Sequence, residues 1–107
     1  MPAVTIEITR FVNEFPGVVE CKLIDAIGQI HTFIEKAPIV SDKNLCTTSN
    51  YPCLASIDCE IEDEWDNSEG KSLVKINTDL PWHVESTMGV HKFTVFSSQI
   101  VRHESDD

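Results

Sequence analysis

Asp58-Cys59-Glu60-Ile61-Glu62-Asp63-Glu64 is the stretch whose reading decides the fold class. Successive side chains of a β-strand point to opposite faces, so Asp58, Glu60, Glu62 and Glu64 line one face while Ile57, Cys59 and Ile61 line the other. The pattern predicts a half-buried strand, Leu54 to Trp65, with a ladder of carboxylates on its wet side and an aromatic residue at its end. Asp66-Asn67-Ser68-Glu69-Gly70 follows as a hairpin turn, and Lys71 to Thr78 returns with Val74 and Ile76 inward. Antiparallel pairing then brings Lys71 and Lys75 toward the ladder. Two lysines do not neutralise four carboxylates, so an uncompensated negative stripe is expected.

Working outward, the same alternation recurs. Val4 to Val12 reads as a first strand, with Val4, Ile6, Ile8 and Val12 on the inner face. Phe15-Pro16-Gly17 breaks it, because proline lacks a ladder donor and glycine tolerates a positive φ. Val18 to Ala26 is a second strand with Val19, Cys21 and Leu23 inward. Gly28 permits a reversal into a third strand, Gln29 to Lys36, on which His31 is placed outward. Short connections make these three an antiparallel meander. Ala37-Pro38-Ile39-Val40 reads as an extension at a sheet edge, where proline is tolerated.

Ser41 to Cys53 is the long irregular piece, in which Ser41 or Asp42 caps a single helical turn through Leu45. Beyond the hairpin, Asp79-Leu80-Pro81-Trp82 is a second break, with Trp82 expected to close one end of the fold. Val84, a turn at Gly89, and Val90 to Val101 supply the last strand or strand pair, with Phe93, Val95, Phe96 and Ile100 as core residues. Residues 103–107 form a polar tail. The fold expected is therefore all-β: a small antiparallel barrel of about six strands in one domain, 1–107, which hides the edges of an open sheet. A two-sheet β-sandwich is the alternative.

Composition narrows function. The chain of 107 residues carries a formal charge of −10, unevenly placed, with −2 over residues 1–57 and −8 over residues 58–107. Phosphate recognition needs the opposite sign, which argues against direct nucleic-acid binding. No apolar run approaches membrane-spanning length and no leader pattern opens the chain, so a cytoplasmic protein without membrane contact is expected. In that compartment Cys21, Cys46, Cys53 and Cys59 are thiols. Cys21 and Cys59 have the parity of core residues, and Cys46 with Cys53 is the one pair placed to form a disulfide on export.

No spacing points to a metal or a cofactor. There is no CxxC, the histidines His31, His83, His91 and His103 form no HxH or HxxxH pair, and no glutamate follows Gly70 where a calcium loop needs one. Catalytic parts are also missing: there is no GxSxG elbow and no glycine-rich phosphate cradle. The expectation is a non-catalytic protein of the immunity or inhibitor type, docking Asp58, Glu60, Glu62, Glu64 and Trp65 on a basic protein partner. A small-ligand-binding barrel gated by residues 41–53, with a pocket lined by Phe33, Phe93 or Trp82, is the alternative. An enzyme requires a Cys or His within hydrogen-bond distance of an acid in a concave site.

Overall fold

A computed structural model describes residues 1–14, 17–41 and 50–102. Among the described residues there are eight strands: β1 (Pro2–Glu14), β2 (Gly17–Ile24), β3 (Ile30–Lys36), β4 (Cys53–Asp58), β5 (Glu60–Asp66), β6 (Ser72–Asn77), β7 (Lys92–Phe96) and β8 (Ile100–Arg102). One short helix, α1 (Ala37–Val40), follows β3. All pairings between strands are antiparallel. The first sheet runs β3-β2-β1-β4 with β8 also on β1, and the second runs β5-β6-β7. The all-β class and the opening meander are as the alternation predicts. Among the described residues no helix is long and apolar enough to cross a membrane.

Parity explains the core. Val4, Ile6, Ile8, Val19, Cys21, Leu23, Phe33 and Ile57 from the first sheet, and Val74, Ile76, Phe93 and Val95 from the second, form one buried cluster. Phe33 and Phe93 meet edge to face across the sheets, with ring centroids 5.6 Å apart. Three hydrogen bonds stitch the meander to the other end of the chain: Ala26 N to Thr94 O (2.9 Å), Thr87 N to Thr32 O (2.8 Å) and Gln99 Nε2 to Ile24 O (2.8 Å). On the opposite side the chain passes directly from β4 to β5 through Cys59, whose buried amide donates to Pro2 O at 3.0 Å.

Five expectations need correction. Leu54 to Trp65 is two strands, because the break at Cys59 carries the chain from one sheet to the other. Val12 is 41 % exposed. Register shifts between Ile8 and Arg10 and between Phe11 and Asn13 each insert an unpaired residue, and an inserted residue reverses parity, so Phe11 packs on the core instead. His31 faces inward, since its register partner is the buried Leu23. Ala37-Pro38-Ile39-Val40 is helical: proline at the start of a helix costs no hydrogen bond, and Ala37 and Val40 share one buried face three residues apart. Phe96 lies outside the core, as it must when Val95 lies inside. The expected helical turn at residues 41–45, the partner thiol Cys46 and the tail 103–107 lie outside the described residues, apart from Ser41.

Candidate docking face

The outer face of the second sheet carries the candidate site. The hairpin holding it is built by Asn67, whose side-chain oxygen accepts the amides of Glu69 (2.9 Å) and Lys71 (3.0 Å), while Gly70 turns the chain at φ 77°. Residues directly opposite in a ladder share a face. The face therefore has three rows: Glu60–Asn77–Lys92, Asp63–Lys75–Thr94 and Trp65–Leu73–Phe96. A register shift between Ile61 and Asp63 leaves Glu62 as the inserted residue, and its carboxylate lies 3.5 Å from Lys92 Nζ on the same face.

This bulge rearranges the expected ladder. Strict alternation aligns Glu64 with Asp58, Glu60 and Glu62. Beyond the insertion Glu64 instead stands opposite the buried Val74, on the other parity, where its carboxylate pairs with Arg102. Asp63 takes its place on the outer face, opposite Lys75. Compensation also comes from other residues than expected. Lys71 lies over the Phe96 ring at 5.4 Å, while Lys92 and Arg102 meet ladder acids. The acids of the outer face are thus Glu60, Glu62 and Asp63, preceded in the chain by Asp58 at the end of β4.

Trp65 belongs to this surface, whereas Trp82 meets Asp58 at the end of β4. Trp65 is 38 % exposed and shares its row with the half-buried Leu73 and Phe96. Trp82 does not close an end of the fold: it is 54 % exposed, and its indole Nε1 donates to Asp58 Oδ2 at 3.0 Å. The segment bearing it is anchored from beneath. Thr78, fully buried, donates its hydroxyl to Val84 O (2.7 Å) and its amide to His91 O (2.8 Å). Nearby, His83 Nδ1 lies 3.3 Å from Asp79 Oδ1, and His91 Nδ1 lies 3.0 Å from Asn77 Oδ1. Sequence reasoning missed Asp63, Leu73 and Phe96. Phe96 was within reach of parity alone; Asp63 depended on a bulge that no residue announces.

Chemistry is sparse on this face. Cys59 is buried behind it with its thiol pushed up to about 11, by burial first and by Asp58 second. Cys21, deeper in the first sheet, is pushed up to about 12 by burial, so neither thiol is primed as a nucleophile. Among the described residues no group of three or more His, Cys, Asp or Glu side chains is arranged to hold a metal ion. Comparison of the chain with protein-family models, with curated proteins and with solved structures found no match.

Proposed function

We propose that this protein acts by binding a basic protein, without chemistry of its own, through the outer face of β5, β6 and β7. The observation that carries the reading is the juxtaposition of acids with exposed aromatic surface. Glu60, Glu62 and Asp63 share this face with the row Trp65–Leu73–Phe96, the Asp63 row lying next to it, and at the end of β4 Asp58 is tied to Trp82. Aromatic anchors supply most of the binding energy at protein interfaces, while complementary charge speeds encounter and excludes wrong partners. Lys75 and Lys92 moderate the face and set a pattern that a partner must match. An immunity or inhibitor role follows in its sharpest form: the carboxylates occupy the phosphate-binding site of a basic toxin or nucleic-acid-handling enzyme. The reading places the protein in the cytoplasm, where Cys21, Cys53 and Cys59 remain thiols.

The test is affinity capture from the native lysate at low salt, with Glu60→Lys/Glu62→Lys/Asp63→Lys as the control bait. A basic protein held by the wild type, lost with the variant and released by moderate salt is the expected result. Equal capture by two folded baits would remove the proposal.

A further inference from the structure

The outer face of the first sheet is a second broad surface, and its character is opposite to that of the docking face. Ile8, Cys21 and Leu23 point into the core, so Glu7, Lys22 and their register partners point outward. On that face Ile24 stands opposite Ile30, and Ile34 stands opposite Glu20. Leu54 of β4 stands opposite Glu7. Ile24, Ile30, Ile34 and Leu54 are between 41 % and 74 % exposed. A single exposed aliphatic side chain is ordinary, whereas four on one face of one sheet mark an interaction surface.

The hairpin carrying two of them is held in place. Asp25 Oδ1 accepts the amides of Ile27 (3.1 Å) and Gln29 (2.9 Å), and Asp25 Oδ2 lies 2.8 Å from His31 Nε2. Gln99 Nε2 fixes the carbonyl of Ile24 from the other end of the chain. Ile24 and Ile30 therefore lose little backbone freedom when they are covered.

Charge selects the occupant. At the centre of the face Glu7 stands opposite Lys22, and Arg10 meets Glu20 at 3.0 Å. These four charges cancel, in a chain whose formal charge is −10. A surface that meets its own copy about a two-fold axis must be self-complementary, so it has to be neutral or carry both signs. The first sheet satisfies that condition. The acidic face of the second sheet does not, because two copies of Glu60, Glu62 and Asp63 repel each other. Size is also adequate: four strands about 4.8 Å apart and about seven residues long present a plane of roughly 450 Å2. Before side-chain relief is counted, that is more than half of the roughly 800 Å2 that each partner gives to a stable interface.

We propose that two copies of this chain associate through this face, outer sheet against outer sheet, as a symmetric dimer. Ile24, Ile30, Ile34 and Leu54 of each copy supply the apolar contact, and the paired charges of the two copies match. The core lies between the sheets, so the outer face of β5, β6 and β7 stays open on both copies. The inference stands apart from the docking of a basic partner, since it uses no residue of that face.

Sedimentation velocity of the full chain across the micromolar range is the test. The wild type is expected to pass from one to two chain masses as concentration rises. Association is expected to tighten with NaCl, because salt screens the repulsion between two acidic chains and leaves apolar contact intact. Ile24→Lys/Ile30→Lys places like charges against each other and removes two aliphatic contacts per copy, so the dissociation constant is expected to rise about 100-fold or more. Leu54→Ser, on a different strand, is expected to raise it about tenfold, and it decides the matter if the lysine variant is misfolded by circular dichroism. Glu60→Lys/Glu62→Lys/Asp63→Lys is expected to remain dimeric. A wild type that stays monomeric, undiminished association in a folded variant of the first-sheet face, or loss of the dimer in the acidic-face variant would each overturn the proposal.

Discussion

Thr78 is fully buried, and its hydroxyl ties β6 to the segment that carries Trp82. Thr78→Val keeps the shape and removes the donor to Val84 O. It is expected to cost about 1–3 kcal/mol, the penalty of an unsatisfied buried acceptor, read from urea unfolding. Charged residues add a pH dependence. Burial pushes the Asp25 carboxyl upward, but the bonds from His31 and the amides of Gln29 and Ile27 outweigh it and hold the group below the usual aspartate range. Glu20 is lowered chiefly by its bond from Thr9, then by Arg10. A carboxyl whose folded value is depressed binds fewer protons folded than unfolded. Its stabilisation is present above the ordinary carboxylate range, about pH 4, and is lost as pH falls through the folded value. Glu35 acts in the opposite sense, raised chiefly by burial and also by Glu85. Asp25→Asn retains the turn acceptor but not the charge, so the acid limb of its stability curve is expected to be shallower than in the wild type, measured as Tm between pH 3 and 6.

At the scale of elements, alternation was legible and interruptions of it were not. Val19, Cys21 and Leu23 on β2, and Val74 and Ile76 on β6, are buried where period two places them. The bulges in β1 and β5 shift the parity of Val12 and Glu64, because an inserted residue is defined by what the neighbouring strand does, and local residue type does not mark it. The β5–β6 hairpin was readable because its turn chemistry is local. Gly70 sits at φ 77°, and a Cβ placed there meets nothing within 4 Å, so Gly70→Ala carries only the backbone cost of a left-handed conformation. About 1 kcal/mol is expected, read as a lower urea midpoint with an unchanged slope.

For the whole molecule, the net charge of −10 opposes compaction through self-repulsion. Added salt screens exposed charges, so raising NaCl from 50 to 500 mM is expected to raise Tm. The Glu60→Lys/Glu62→Lys/Asp63→Lys variant, with a net charge six units less negative, should show a smaller rise. Its Tm at high salt should lie within a few degrees of the wild type, since all three positions are exposed. A large loss of stability at high salt would show that the acidic stripe supports the fold. The same ionic-strength series separates solvation of the sheet face from partner docking, because docking weakens steeply with salt while Tm climbs.

Composition and period by themselves determined that the chain is all-β and antiparallel, that residues 58–66 are its most acidic stretch, and most of the alternating residues that enter the core, with Val12, His31 and Phe96 assigned to the wrong face. These are properties of side-chain direction and local turn preference, set within a few residues of chain. Tertiary structure alone decided that the acidic strand divides at Cys59 between two sheets, that Trp82 meets Asp58, and that His31 turns inward to Asp25 beside Phe93. Each of these depends on which strand lies next to which, and on where an extra residue is inserted into a ladder. Such choices are settled by packing across the whole core, where residues distant in sequence compete for the same buried surface.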